Sequence, residues 1–144
     1  MLKRFDHTTL VVRDINEAKR FFGLLGFKEE VSVVLRGEIF ARYMGIAGME
    51  AEHVTLVAEG VEPRTEIQLL RYLAPEATPD PDIHNLCRLG FNHICFAVED
   101  LAAVLASMEA NGFSARNEVM DFHRRELVFL VGPEGVTIEL SQWH

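Results

Sequence analysis

Residues 5–14 read FDHTTLVVRD and residues 91–100 read FNHICFAVED. Shifting the chain by 86 positions superimposes them without a gap. Phe5 then meets Phe91, His7 meets His93, Val12 meets Val98 and Asp14 meets Asp100. The match runs on through Ile15 and Leu101, Ala18 and Val104, and Gly26-Phe27 and Gly112-Phe113. Apolar positions coincide easily by chance. A histidine, an aspartate and a Gly-Phe pair at fixed offsets do not, so the chain is read as an internal duplication.

Each copy has the pattern strand, helix, turn, strands. HTTLVV and HICFAV are short and rich in β-branched or aromatic residues, as strands are. Asp14 and Asp100 are N-cap residues, and Glu17 stands at the capping-box position three residues after Asp14. Ile15, Ala18, Phe21, Phe22 and Leu25 fall at helical spacing, as do Leu101, Val104, Leu105 and Met108. Gly26 and Asn111-Gly112 end the two helices. EEVSVVL, EIFARYM, HVTLVA and TEIQLLRY are candidate strands of the first copy; RNEVM, RELVFLV and VTIELSQW are those of the second, with GPEG as a turn. The expected fold is α+β: two βαβββ modules in tandem that form a half-barrel metal cleft. The modules span residues 1–74 and 91–144 in one compact unit. A linker, 75–90, carries Pro75, Pro79 and Pro81.

Composition narrows the function. Hydrophobic residues make up 49% and charged residues 25% of 144, an ordinary globular mixture. A net charge of -8 argues against nucleic acid or an anionic membrane as partner, since both call for a basic footprint. Cys87 and Cys95 form no CxxC pair and no secreted disulfide scaffold. The N-terminus lacks the apolar segment of a signal peptide, and no apolar run approaches the roughly 20 residues of a membrane span. A cytoplasmic protein acting on a small molecule is the expectation.

Side chains alternate along a strand. Leu10 and Val12 in one copy, and Ile94, Phe96 and Val98 in the other, belong under the helix. That leaves His7, Thr9, His93 and Cys95 on the opposite face. In the last strand of each copy, Ile67 and Leu69 flank Gln68, and Ile138 and Leu140 flank Glu139. A carboxylate among apolar neighbours is costly unless it is paired or bound to a cation. His7, Gln68, His93 and Glu139 are therefore the candidate metal ligands. Two imidazoles, an amide oxygen and a carboxylate suit Zn, Ni, Co, Mn or Fe(II), with remaining positions for water and substrate.

Other residues carry weaker signals. Arg124 and Arg125 open a strand of the second copy, where an arginine can hold a carboxylate or phosphate; Arg125 is taken as a substrate-binding candidate against a solvated strand end. Cys95 is read as a small packed side chain. The first copy is longer: 61 positions separate His7 from Gln68, against 46 from His93 to Glu139. The surplus lies in VVLRGEIFARYMGIAGMEAEH, and long additions carry specificity more often than they carry the core. Phe40, Tyr43, Met44 and Met49 from this stretch are candidates for a lid or for a dimer contact, with Tyr43 as a second substrate-binding residue.

The pair FDHTTLVVRDINEAKRFFGLLGF and FNHICFAVEDLAAVLASMEANGF, with EIQLL and GPEGVTIEL, resembles the vicinal oxygen chelate superfamily. That group holds glyoxalase I, methylmalonyl-CoA epimerase, extradiol dioxygenases and fosfomycin or bleomycin resistance proteins. The resemblance covers nearly the whole chain. It implies His7, Gln68, His93 and Glu139 as ligands, a set similar to that of bacterial methylmalonyl-CoA epimerase. It implies a metal-dependent lyase or isomerase that moves a proton alpha to a carbonyl through a metal-stabilised enediolate or enolate, with Glu139 as ligand and acid/base. A second acid/base is implied near EAEHVTL, where Glu52 is preferred and His53 is the alternative. A homodimer is implied too. The other readings are a metal-dependent extradiol-type dioxygenase, against which Gln68 stands where those enzymes place a histidine, and a non-catalytic ligand-binding or resistance protein.

Overall fold

A computed structural model describes residues 1–144. The chain divides into two compact units, Met1–Pro79 and Asp80–His144, and each is built around one open, mixed four-stranded sheet. The α+β class and the duplication expected from the repeat are both present. No helix is long and apolar enough to cross a membrane.

The first unit runs β1 (Thr8–Val11), α1 (Ile15–Gly23), β2 (Phe27–Arg36), α2 (Glu38–Met44), β3 (Glu50–Ala58) and β4 (Glu66–Ala74). Its strand order is β1-β4-β3-β2, with β1 parallel to β4 and the other pairs antiparallel. Helix α1 is the crossover from one edge strand to the other. It starts where Asp14 accepts the backbone N–H of Glu17 at 2.9 Å. Phe21 and Phe22 are fully buried, and Phe22 meets Phe27 edge-on at 5.7 Å. With Leu10, Val12, Val54, Leu56, Ile67 and Leu69 they make the core on one side of the sheet. Each such side chain contributes roughly 1.5–3 kcal/mol by leaving water.

The second unit runs β5 (Ile94–Ala97), α3 (Leu101–Ala110), β6 (Met120–Asp121), β7 (Arg125–Val131) and β8 (Thr137–Trp143). Its order, β5-β8-β7-β6, repeats the first, with β5 parallel to β8. Asp100 caps α3 by accepting from Ala103 at 2.9 Å. Leu101, Met108, Val128, Leu130, Ile138 and Leu140 form its core. GPEG makes a short 3-10 turn between β7 and β8. The strand expected at RNEVM shrinks to two residues at its end.

One expectation fails. EIFARYM is a helix, so the first module is βαβαββ and only the second is βαβββ. Gly37 and Gly45, both with positive φ, bracket this segment and turn the chain into and out of it. Phe40, Ala41 and Ile46 from this region pack on Met49, Ala51 and Leu70. Seven residues with Ile39, Phe40, Tyr43 and Met44 fit two periods equally poorly, and packing decided between them.

Candidate metal centre

In the first unit, register fixes the faces. Thr9 lies opposite Gln68, and Gln68 opposite Thr55. His53, two residues before Thr55, therefore shares the face turned away from α1. Gln68 is tightly held there. Its Nε2 donates to Glu66 Oε1 at 2.7 Å. Its Oε1 accepts from His53 Nε2 at 3.0 Å and from the Thr9 hydroxyl at 3.4 Å. Arg64 donates in turn to Glu66 and to Glu30, and these two carboxylates push its pKa up.

His7 stands one residue before β1. Its Nδ1 lies 2.8 Å from Asp6 Oδ2. An ionised carboxylate can only accept, so the His7 Nδ1–H donates. The same hydrogen bond, ahead of Arg4, holds the Asp6 carboxyl below its ordinary range against a smaller effect of burial.

Helix α2 covers one end of this face, since Leu35, Ala51, Leu70 and Tyr72, on which it packs, share it. Tyr43 sits on its outer side, 85% exposed. Glu52 occupies the other face. It pairs with Arg71, whose Nε donates to Glu52 Oε2 at 2.7 Å, and that bond, helped by Lys19, keeps the Glu52 carboxyl below its ordinary range. Glu52 and Arg71 line an open depression of ≈560 Å³ beside the start of α1. Of the two neighbours at 52 and 53, it is His53 that shares a face with Gln68.

In the second unit, His93 likewise stands one residue before its strand. Its Nδ1 lies 2.7 Å from Asn92 Oδ1. Asn92 Nδ2 donates to the Leu86 carbonyl at 2.6 Å, which fixes the amide with its oxygen towards the ring. His93 Nδ1–H is thus the donor. Nε2 faces Glu139 Oε2 at 3.1 Å, and the Phe129 ring stands edge-on at 5.3 Å. Glu139 lies between Cys95 and Phe129 in the register and only 13% of its side chain is exposed. An imidazole lone pair and a carboxylate lone pair at this distance repel unless a proton or a cation lies between them. An imidazole nitrogen and a largely buried carboxylate converge here, two donors of the kind a divalent ion takes, although no group of three or more His, Cys, Asp or Glu side chains is gathered to hold one.

Three other residues share the Glu139 side of this sheet. Arg125 and Leu127 alternate with Phe129 along β7. The Arg125 guanidinium lies 4.9 Å over the Trp143 ring. Leu127, Phe129 and Glu139, with Met120 and Phe122, line a small apolar depression of ≈150 Å³. The Cys95 thiol donates to Ser141 Oγ at 3.6 Å, and partial burial, with Glu139 close by, raises its pKa.

Asp6 and Asn92 escaped the reading of the sequence, although they meet under the same shift of 86 that relates the histidines. The clustering of His53, Glu66 and Arg64 around Gln68 needed the strand register.

Comparison with known proteins agrees with this architecture. The profile of the glyoxalase/bleomycin resistance protein/dioxygenase superfamily matches residues 6–129, which include His7, Gln68 and His93. The chain is 33% identical to a lactoylglutathione lyase of Schizosaccharomyces pombe over 142 residues, 96% of this chain and 45% of that protein. It is 30% identical over 77 residues to glyoxalase I of Saccharomyces cerevisiae, 51% of this chain and 24% of that one. It therefore spans less than half the length of either yeast protein. A glyoxalase family protein from Bacillus cereus superimposes with a TM-score of 0.91 at 26% identity, over 99% of this chain and 95% of the other. A fosfomycin resistance protein from Listeria monocytogenes shares the fold, with a TM-score of 0.62 at 16% identity over 100% of this chain and 95% of that one. Duplicated modules, equivalent strand-start histidines and a profile match over most of the length lead to one conclusion: the chain belongs to the glyoxalase/bleomycin resistance protein/dioxygenase superfamily.

Proposed function

We propose that this protein is a metal-dependent lyase or isomerase of the glyoxalase or epimerase type, moving a proton on the carbon alpha to a carbonyl of a small molecule. The observation that carries the reading is the approach of His93 Nε2 to Glu139 Oε2 at 3.1 Å, with His93 Nδ1 already committed to Asn92. The proposed ligands are His7 and Gln68 in the first unit and His93 and Glu139 in the second. A bound divalent ion of the zinc, nickel, cobalt, manganese or iron class supplies Lewis acidity to neighbouring substrate oxygens.

Glu139 is the acid/base. Its carboxylate, 13% exposed, lies on the strand face it shares with Phe129 and Cys95, within reach of His93. His53 is the better second acid/base. It shares the face of Gln68 and holds its Nε2 proton on the amide oxygen at 3.0 Å. Glu52, on the opposite face and held ionised by Arg71, is a poor proton acceptor. Arg125 is assigned to an anionic group of the substrate, and Tyr43, on the exposed side of α2, to its outer part. The names of the yeast relatives favour the hemithioacetal of an α-oxoaldehyde; the His-Gln-His-Glu set favours an acyl-CoA thioester. A cytoplasmic homodimer is the form proposed for the working protein.

The deciding measurement is solvent deuterium incorporation at the alpha carbon of methylmalonyl-CoA and of a methylglyoxal–thiol hemithioacetal. Exchange that disappears on chelation, returns with added metal and is lost in Glu139→Ala supports the proposal. Substrate-dependent oxygen uptake would replace it with a dioxygenase. Binding of a small ligand that is indifferent to chelation, with no exchange, would replace it with a sequestering protein.

A further inference from the structure

We propose that Glu66, anchored by Arg64, is a positioning residue that decides which way round the side-chain amide of Gln68 sits: oxygen towards His53 and Thr9, nitrogen away from them. The orientation is a property of the first unit alone. Its consequence for the reaction rests on the function proposed above.

An amide has two ends of similar shape and opposite hydrogen-bonding sense, so its neighbours must choose between them. Glu66 stands two residues before Gln68 on β4 and shares its face. A carboxylate only accepts, so Nε2 is the atom of Gln68 that meets Glu66 Oε1 at 2.7 Å. Oε1 of Gln68 is then turned to His53 Nε2 at 3.0 Å and to the Thr9 hydroxyl at 3.4 Å. Glu66 is itself held. Its Oε2 accepts from Arg64 Nε at 3.1 Å and from Nη2 at 2.9 Å. The same guanidinium donates to both oxygens of Glu30, at 3.0 Å and 2.6 Å. Charge-assisted, forked bonds of this kind fix geometry more firmly than neutral ones. A chain of contacts thus runs from Glu30 on β2, through Arg64 and Glu66, to the amide on β4.

The duplication shows why one copy carries this device and the other does not. Glu139 takes the place of Gln68 in the second unit, and Thr137 takes the place of Glu66. The Thr137 hydroxyl makes no hydrogen bond. A carboxylate presents an acceptor at either oxygen and needs nothing to tell its ends apart; an amide does. The charged partner stands where the two ends differ. Without Glu66 the Gln68 amide can turn over, and its nitrogen, which only donates, would then face His53 and lose the contact that holds that ring.

Side-chain amide nuclear magnetic resonance of the metal-free full chain tests the orientation. In the wild type, one Gln68 Nε2 proton should be shifted downfield, with Overhauser contacts to Glu66 and none to the His53 ring. In Glu66→Ala the downfield shift should vanish and contacts to the His53 ring should appear. Arg64→Met, which keeps the carboxylate and frees it, should show both orientations. Glu66→Gln, whose amide oxygen still accepts, should restore the wild-type contacts. Alpha-proton exchange with the substrates above should fall about tenfold or more in kcat for Glu66→Ala, with KM nearly constant, and largely recover in Glu66→Gln. Contacts from the Gln68 amide protons to His53 in the wild type, or a pattern unchanged in Glu66→Ala, would overturn the orientation. A reoriented amide with unaltered exchange would overturn its part in the reaction. A wild type without any exchange would remove the proposed function and leave the orientation standing on the resonance data. Far-ultraviolet circular dichroism checks folding, and Arg64→Met decides the orientation if Glu66→Ala does not fold.

Discussion

His93 Nε2 and Glu139 Oε2 lie 3.1 Å apart, one on the residue before β5 and the other at the centre of β8. The parallel pairing of those strands sets Cys95 opposite Glu139, and His93 reaches the carboxylate from two residues earlier on the same face. Two groups that would repel when both are unprotonated are thus held within reach of each other by the backbone. Glu139→Gln removes the charge while keeping the shape. It should weaken cobalt binding at least tenfold and reduce alpha-proton exchange by about 10²–10⁴-fold. Metal titration and deuterium incorporation on the same sample check both, and unchanged exchange would remove Glu139 from the chemistry.

The faces of β3 separate two neighbours. His53→Ala should lower the exchange rate by about a hundredfold, the scale of a lost acid/base group, whereas Glu52→Gln should leave it within a factor of two or so. Glu52→Gln should instead act on stability. The folded-state pKa of Glu52 is lowered, chiefly by Arg71, so its contribution is present above the unfolded-state value and disappears as pH falls through the folded one. The variant should melt slightly earlier than wild type at pH 7, with the difference vanishing in strong acid. Thermal denaturation across pH decides this, and a gap that widened on acidification would contradict the sign.

Arg125 provides a test of substrate charge. Its guanidinium rests on Trp143 and shares the Glu139 side of the sheet. Replacing it with leucine keeps much of the apolar contact and removes the cation. KM for an anionic substrate should rise about tenfold with kcat nearly constant, the signature of lost uniform binding. An unaltered KM would return Arg125 to the solvated strand end.

Gly132 tests packing in the second unit. A Cβ there would lie 2.6 Å from Ile138 Cγ1 and 2.8 Å from the Val136 carbonyl oxygen. Ile138 is fully buried and cannot swing aside. Gly132→Ala should cost about 1–3 kcal/mol, read as a lower urea midpoint with an unchanged slope.

Phe22→Ala is the corresponding test in the first unit. Phe22 is fully buried and touches both Phe21 and Phe27 edge-on. Its loss should cost about 3–5 kcal/mol; a smaller effect on urea denaturation would mean that α1 collapses onto the sheet to fill the space.

The sequence by itself determined the duplication, the two capped crossover helices and the division of each strand into a helix-facing and an open side. These follow from local rules: a side-chain period of two, a period of 3.6, and a short acidic residue at a helix start. The same rules made His7, Gln68, His93 and Glu139 the candidate ligands, the histidines through the repeat and Gln68 and Glu139 as polar exceptions between apolar neighbours. Tertiary structure decided what those rules left open. Whether EIFARYM pairs or coils depended on the apolar surface of Leu35, Ala51 and Leu70 waiting beneath it. Whether Glu52 or His53 shares the face of Gln68 depended on register, which shifts at Glu29/Val31 and again at Glu50/Ala51, and one residue of slip exchanges the faces. Which group meets Nδ1 of each histidine depended on Asp6 and Asn92, whose meaning is a distance of less than 3 Å rather than a pattern along the chain.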